Sequence, residues 1–352
     1  MARLLCILMA VVICCVPAAR AADAPDQRTE VDKSVEKALE FLHNQQNADG
    51  SWSIFRGGKS AAISSFCVMA FLSSGNVPGE GKHGEVVKKG IEWVLKQQLP
   101  NGLITTDAHH EMYHHGICTI MLSEAAGMTD GKLGEEVRQK LEKAVQVILR
   151  GQRNTGVEKG GWRYRVEGSD SDISVTGWQL MALRAAKNLG CDVPPEAIER
   201  AVEYVKRCQD PGSGGFRYMV RGGVTVPCTG TSILGLELCG KDEHRSPEVL
   251  KAGSYLLKNL PRWGEGHFFY TIYYCTQATF QLGGNYWDSY RPRMQEVLLK
   301  NQAANGSWTG AGGEDSGLGP TYGTAMAVLA LTVEYRFLPI YQRGEEPAEK
   351  TK

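Results

Sequence analysis

Residues 109–116, HHEMYHHG, place two imidazoles four positions apart around a carboxylate: His110, Glu111 and His114. On one face of a formed helix this spacing can hold zinc, with the glutamate as general base, if a third ligand and an open coordination position are supplied. A second stretch, GSDSDISVTGWQ from Gly168, brings Asp170 and Asp172 close together just before an apolar run. A carboxyl there can serve as a proton donor when its surroundings keep it neutral, or simply cap the helix that follows. Aromatic residues form a third set: Tyr113, Trp178, Tyr270, Tyr273, Tyr274 and Tyr322, with His115 and His267 among them. Such a set can stabilise a cation, stack on a ring compound, or pack as core. The elements that carry these residues decide among the alternatives.

Those elements repeat. KALEFLHNQQNADGSW, from Lys37, returns as KGIEWVLKQQLPNGLI from Lys89, KAVQVILRGQ from Lys143, RAVEYVKRCQ from Arg200, KAGSYLLKNL from Lys251 and RMQEVLLKNQAANGSW from Arg293. Repeats of this length mark stacked supersecondary units. The first half of each unit is two-faced: Val31, Val35, Ala38, Leu39 and Leu42 form one apolar stripe, with Asp32, Glu36, Lys37 and Glu40 outside it. The second half, such as AAISSFCVMAFLSSG from Ala61 or ISVTGWQLMALRAAKNLG from Ile173, is apolar on all sides. A helix without a polar face must be covered all round. Six covered helices sheathed by six two-faced ones close into a ring, whereas an open solenoid would expose its end repeats. The sequence therefore predicts an all-α fold, a single α6/α6 toroid over residues 32–340, followed by a polar tail at 341–352. In this register HEMYH straddles the start of the second buried helix with His110 ahead of it, which separates the two imidazoles of the zinc pattern.

The chain opens with MARLLCILMAVVICCVPAARAAD: Arg3, an apolar run from Leu4 to Val16, and Ala19 and Ala21 in the arrangement of a cleavage site. Residues 1–21 read as an export signal and 22–31 as a linker. The apolar run is too short for a bilayer core of roughly 30 Å. The whole chain has 39 basic and 39 acidic residues, and the leader contains two of the arginines, so the mature protein carries a formal charge of −2. No basic stripe argues for nucleic acid. Seven cysteines remain after the leader, Cys67, Cys118, Cys191, Cys208, Cys228, Cys239 and Cys275. Their odd number leaves at least one thiol free, and Cys228 and Cys275 are the pair expected to be neighbours, near the starts of adjacent buried helices.

The repeat itself resembles the QW repeat of squalene and terpenoid cyclases. Lys37-Ala38, Phe41-Leu42, Gln46, Gly50 and Trp52 match that pattern throughout, and Arg293, Leu298, Gln302, Gly306 and Trp308 keep it in the sixth copy. Ile104 and Phe216 replace the tryptophan in two middle copies, and Leu260 replaces the glutamine in another. The resemblance implies the toroid shared by terpenoid cyclases and protein prenyltransferase β subunits, and it leaves function open. A class II cyclase would place an acidic D-x-D-D motif at Asp170–Asp172, where this chain has D-x-D followed by Ile173. A protein prenyltransferase would ligate zinc near Cys228, but Val226 stands at its aspartate position and Thr271 at its histidine position.

The favoured expectation is an exported toroid that binds a small hydrophobic or carbohydrate ligand, or a protein partner, in the mouth of its ring. Tyr113, His115, Trp178, Tyr270 and Tyr274 are the expected ligand-binding residues. Neither cofactor nor metal is expected, His110 and His114 being the alternative zinc ligands. Two enzymatic alternatives stand beside it: a terpenoid cyclase with Asp172 as proton donor supported by Asp170, and an exported α6/α6 carbohydrate-active enzyme using the same acids.

Overall fold

A computed structural model describes residues 29–240 and 244–342; the leader, most of the linker and residues 343–352 lie outside the described residues. Twelve helices are found among the described residues. The two-faced ones are α1 (Glu30–Asn44), α3 (Gly84–Leu95), α5 (Gly131–Gly151), α7 (Pro195–Arg207), α9 (Pro247–Lys258) and α11 (Gly284–Lys300). The apolar ones are α2 (Ala61–Ser73), α4 (Glu111–Ala126), α6 (Ile173–Asn188), α8 (Val226–Cys239), α10 (Phe268–Leu282) and α12 (Gly313–Leu331). Helices α2, α4, α6, α8, α10 and α12 pack on one another in that order, and α12 returns to α2, so the inner ring is closed. All thirteen residues of α2 are buried, whereas α1 buries one stripe, including Val35, Ala38, Leu39 and Leu42. The expected all-α α6/α6 toroid is therefore the fold.

The repeat residues make the joints. Gln46 Nε2 donates to the carbonyl of its own turn glycine, Gly50 (3.0 Å), and to Val86 on the next outer helix (2.8 Å). Gln98, Gln152, Gln209 and Gln302 each bridge their own turn to the following outer helix in the same way, at Lys140, Ala197, Glu248 and Ser34. Gln302 thus sews the last repeat to the first. The turn glycine is required on two counts at Gly306: its φ is +87°, and a Cβ there would lie 2.3 Å from the Lys37 carbonyl oxygen. The tryptophans complete the joint. The indole N–H groups of Trp52, Trp162 and Trp308 reach the carbonyls of Leu42, Ile148 and Leu298, each at 2.8 Å.

Two boundaries differ from the sequence reading. Helix α1 begins at Glu30 because Thr29 and Asp32 form a capping box. At the other end, Leu338, Ile340 and Tyr341 are buried. Residues 333–342 are thus a strap across the far end of the ring, and Tyr341 belongs to the core rather than to a polar tail. The strap is held by a Tyr273–Tyr341 hydroxyl contact, by Gln281 Nε2 donating to the Tyr341 carbonyl (2.9 Å), and by the Ile340 N–H donating to Glu124 (3.3 Å).

Candidate functional site

The open end of the ring lies at the N-termini of the inner helices, where the long loops after each outer helix return. Trp178 sets its depth. It sits on α6 yet packs against Phe66 of α2 (5.5 Å between ring centroids) and stacks on Tyr273 of α10 (5.7 Å, 14°), neither of which lies on a neighbouring helix of the ring. Its indole therefore crosses the axis. Trp178 is five residues into α6, about 8 Å at 1.5 Å per residue. Trp178, Phe66 and Tyr274, all three buried, thus close the ring below its mouth as an aromatic floor, and the mouth above them is the cup. Tyr113 on α4, Tyr270 on α10 and Tyr322 on α12 stand above that floor.

One wall carries a directed hydrogen-bond chain. The Tyr113 hydroxyl donates to Ser174 Oγ, and Ser174 donates to Asp172 Oδ1 at 2.6 Å. Asp172 Oδ1 also accepts the Val175 N–H (2.9 Å), which makes Asp172 the N-cap of α6. Asp172 Oδ2 lies 3.2 Å from Arg163 Nε, and Arg163 Nη1 meets Asp170 Oδ2 at 2.5 Å. Asp172 is 0% exposed. Burial pushes its carboxyl above the usual range, against the pull of Ser174, Val175 and Arg163. The cup rim continues outward through Tyr164, stacked on Tyr113 (6.0 Å, 24°) and sharing a 2.7 Å hydroxyl contact with Tyr218.

Tyr113, Trp178, Tyr270 and Tyr274 are brought together as expected, whereas His115 is turned away. It is 0% exposed, Nδ1 accepts the Ile104 N–H (3.0 Å), and Nε2 donates to the Ala144 carbonyl (3.0 Å). In the other repeats the corresponding N–H, of Trp52, Trp162, Phe216 or Trp308, goes to a hydroxyl of Ser64, Thr176, Thr229 or Thr324. His115 is thus the second repeat's version of a structural acceptor, long enough to reach α5 as well. Burial holds its imidazole neutral, with the pKa lowered to about 4.

Of the zinc alternatives, His110 precedes α4 and turns to Asp107 (3.2 Å), while His114 Nδ1 faces Thr106 Oγ1 (3.2 Å). Among the described residues, no group of three His, Cys, Asp or Glu side chains is placed to hold a metal. Asp170 lies on the half-exposed loop, where it pairs with Arg163, and does not reach the cup. Cys228 and Cys275 do lie on adjacent helices, but both are free thiols, as are the other five. Burial pushes Cys118, Cys208, Cys228 and Cys239 up to about 12, which removes thiolate character.

Sequence reasoning missed Arg163, Phe66 and Tyr164, and offered Ser174 only as an alternative to Asp172 for the helix cap. Arg163 had a signal, since it directly follows the repeat tryptophan Trp162, and the antiparallel bridge between Trp162 and Asp172 brings the ends of the loop together. Phe66 had none, because nothing in α2's all-apolar pattern distinguishes the side facing the axis.

A family model described as the prenyltransferase α-α toroid domain matches residues 3–104 and 265–343, just over half of the chain. The lanosterol synthase of Candida albicans is 28% identical over 126 residues, a match that covers 31% of this chain and 17% of that enzyme. The chain therefore spans about a sixth of the length of this relative. Among solved structures, an inactive variant of an α-1,6-mannanase from Salegentibacter, in complex with α-1,6-mannotriose, aligns with a TM-score of 0.67 at 13% identity, covering 86% of this chain and 98% of that one. A variant of a type II terpene cyclase from Scytonema, in complex with its substrate geranylgeranyl dihydroxybenzoate, aligns with a TM-score of 0.56 at 16% identity, covering 88% and 98%. Identities this low concern the fold alone.

Proposed function

The chain belongs to the prenyltransferase α-α toroid family, and from that premise we propose that it is an exported toroid that binds a small ligand in the cup at the ring mouth, without proton-initiated cyclase chemistry. The observation that carries this reading is the contrast between Asp172 and the aromatic groups around it. Burial raises the carboxyl of Asp172 above its usual range, but both of its oxygens are taken up inside the protein, by Ser174, the Val175 N–H and Arg163, so neither is directed at a ligand. A proton donor to an alkene needs a neutral carboxyl whose O–H points at the substrate. By contrast, the Trp178 indole N–H and the Tyr274 hydroxyl are buried without a hydrogen-bond partner among the described residues. Buried polar groups left in this state are costly, and a ligand that satisfies them recovers that cost.

The test separates the two roles. Asp172→Asn should weaken the α6 cap and its ion pair and lower thermal stability, while ligand retained by the full-length protein, detected by native mass spectrometry, persists. A cyclase would show the reverse, with turnover abolished at near-native stability. Export is part of the same proposal; the mature protein isolated from its own cells should begin at Ala22.

A further inference from the structure

We propose that residues 337–342 are a latch across the far end of the ring, hinged at Arg336 and released when Glu124 loses its proton. This latch lies opposite the mouth and stands apart from the reading of the cup. The strap has two parts. Residues 333–336 are tied to the outer layer: Glu334 Oε1 accepts from Trp287 Nε1 (3.2 Å) and pairs with Arg291 (3.0 Å), and the Tyr335 hydroxyl donates to Asp32. Arg336 then takes the left-handed conformation, with φ +56°, which is uncommon for a residue with a side chain. Beyond that hinge the strap is held by the buried side chains of Leu338, Ile340 and Tyr341, and by polar contacts to Gln281, Tyr273 and Glu124. Its packing on the ring is incomplete. A cavity with room for about one water molecule lies beneath it, lined in part by Ser73, Gln277, Leu338 and Tyr341. Gln277 Oε1 is buried without a partner among the described residues. A segment with so few buried contacts can open ahead of the rest of a fold.

Glu124, on α4, is the titratable member of the latch. The groups that face it are Tyr273 of α10 and Tyr341 of the strap, whose phenols are themselves pushed up by burial. Arg138 of α5 turns instead to the Ala126 carbonyl (3.5 Å), and Arg336 lies over the Phe280 ring (5.7 Å). Among the described residues no charged group of α2, α5 or α6 acts on the Glu124 carboxyl, which responds to burial and to the Ile340 N–H. Burial raises it from 4.5 to about 8. With the strap lifted, water reaches the carboxyl and returns it to its ordinary range. The closed latch thus holds a proton that the open one releases. Closure is at full strength below pH 4.5 and weakens as pH rises to 8. Lifting also hydrates Gln277 and frees Tyr273 and Gln281, which share one face of α10 at successive turns. The open ring therefore presents a polar strip of α10 at its second end.

Amide hydrogen exchange of the full-length protein, corrected for the intrinsic rate at each pH, tests the latch. The N–H groups of Ile340, Tyr341 and Gln342 are bonded to Glu124 or within the strap. Their opening should rise on the order of several hundredfold from pH 5 to pH 8, without dependence on low concentrations of denaturant. The Tyr335 amide and the inner helices should exchange more slowly at every pH. Glu124→Gln should remove the pH dependence. Tyr341→Phe, which loses a contact that does not titrate in this range, should raise opening about tenfold at every pH and keep the slope. Strap amides that exchange no faster than those of the inner helices would mean that the strap opens only when the whole ring unfolds, and would overturn the proposal. So would strap opening that is flat between pH 5 and pH 8, or a pH dependence that survives in Glu124→Gln.

Discussion

The girdle that joins the repeats and the cup that they surround use similar residues, Trp, Tyr, Gln and His, in opposite ways. In the girdle the polar atoms are engaged: Trp52, Trp162 and Trp308 donate to helix carbonyls, and the glutamine amides bridge consecutive outer helices. In the cup, Trp178 and Tyr274 hold equally buried polar atoms with nothing among the described residues to pair them. Burial and aromatic character do not distinguish these two sets of side chains; the engagement of their polar atoms does. Groups of the first kind support stability, and groups of the second kind are available to something outside the chain.

The sharpest way to break this contrast is His115, the residue that the sequence places in the cup and the structure places in the girdle. His115→Ala leaves the Ile104 N–H unpaired, removes the second bond to the Ala144 carbonyl and opens a void, which should cost about 3–5 kcal/mol. Denaturant unfolding measures the loss. If instead stability holds and only ligand binding falls, His115 belongs to the cup and the division made here is wrong.

His115 also shows how far the sequence could be read. The toroid was legible apart from the strap at 333–342, because alternating two-faced and all-apolar segments leave only one way to cover the latter, and because the glutamine and glycine of the repeat act through their own turn and the next helix. The lumen was only partly legible. An all-apolar inner helix carries no periodicity to show which side faces the axis, so Phe66 was invisible and His115 could not be told from Tyr113, two residues away. Trp178 was recognisable as aromatic and near the mouth, but its reach across the axis depends on helices that are far apart in the chain. Asp172 was legible in both its possible roles, and only Arg163, nine residues before it, tilts the balance toward the cap.

At the strapped end of the ring the contrast can be sharpened by pH. Glu124 is 2% exposed, Oε1 accepts the Ile340 N–H, and Oε2 has no hydrogen-bond partner. Burial raises its pKa from an ordinary 4.5 to about 8. The folded state therefore holds a proton that the unfolded chain releases, so stability is fully present below pH 4.5 and falls as pH rises to 8. The whole effect is on the order of 5 kcal/mol. Glu124→Gln should remove it, so the variant gains melting temperature relative to the native protein between pH 5 and 8 and then runs parallel. His114 and His115, lowered to about 4 by burial, act in the opposite direction, losing stability as pH falls below 6.5. A constant difference between the variant and the native protein across pH 5–9 would show that Glu124 is not buried behind the strap.

A smaller loss is expected at the seam. Gln302 donates to the Ser34 and Gly306 carbonyls and accepts from the Ser34 hydroxyl at 2.8 Å, a bridge between the last and first repeats. Gln302→Leu copies what Leu260 already does in the fifth repeat. It should cost about 1–3 kcal/mol and speed amide exchange in α1 and α11 ahead of the remaining helices. Uniform exchange in all helices would mean that the ring closes through its inner helices alone.

The smallest stability effect belongs to the cup, and its smallness is what the comparison requires. Removing a hydroxyl that has no partner takes away a desolvation penalty and no hydrogen bond, so Tyr274→Phe should leave unfolding free energy within about 0.5 kcal/mol of native, or raise it slightly. A buried Tyr273 in the same helix is the internal control: its hydroxyl meets Tyr341 of the strap, so Tyr273→Phe should destabilise by about 1 kcal/mol. Two tyrosines adjacent in sequence, equally buried and in ring contact at 4.9 Å, then differ only in whether their oxygen is engaged. Equal losses at the two positions would show that the Tyr274 hydroxyl already has a partner in the folded chain, and the cup would lose one of its two unpaired donors.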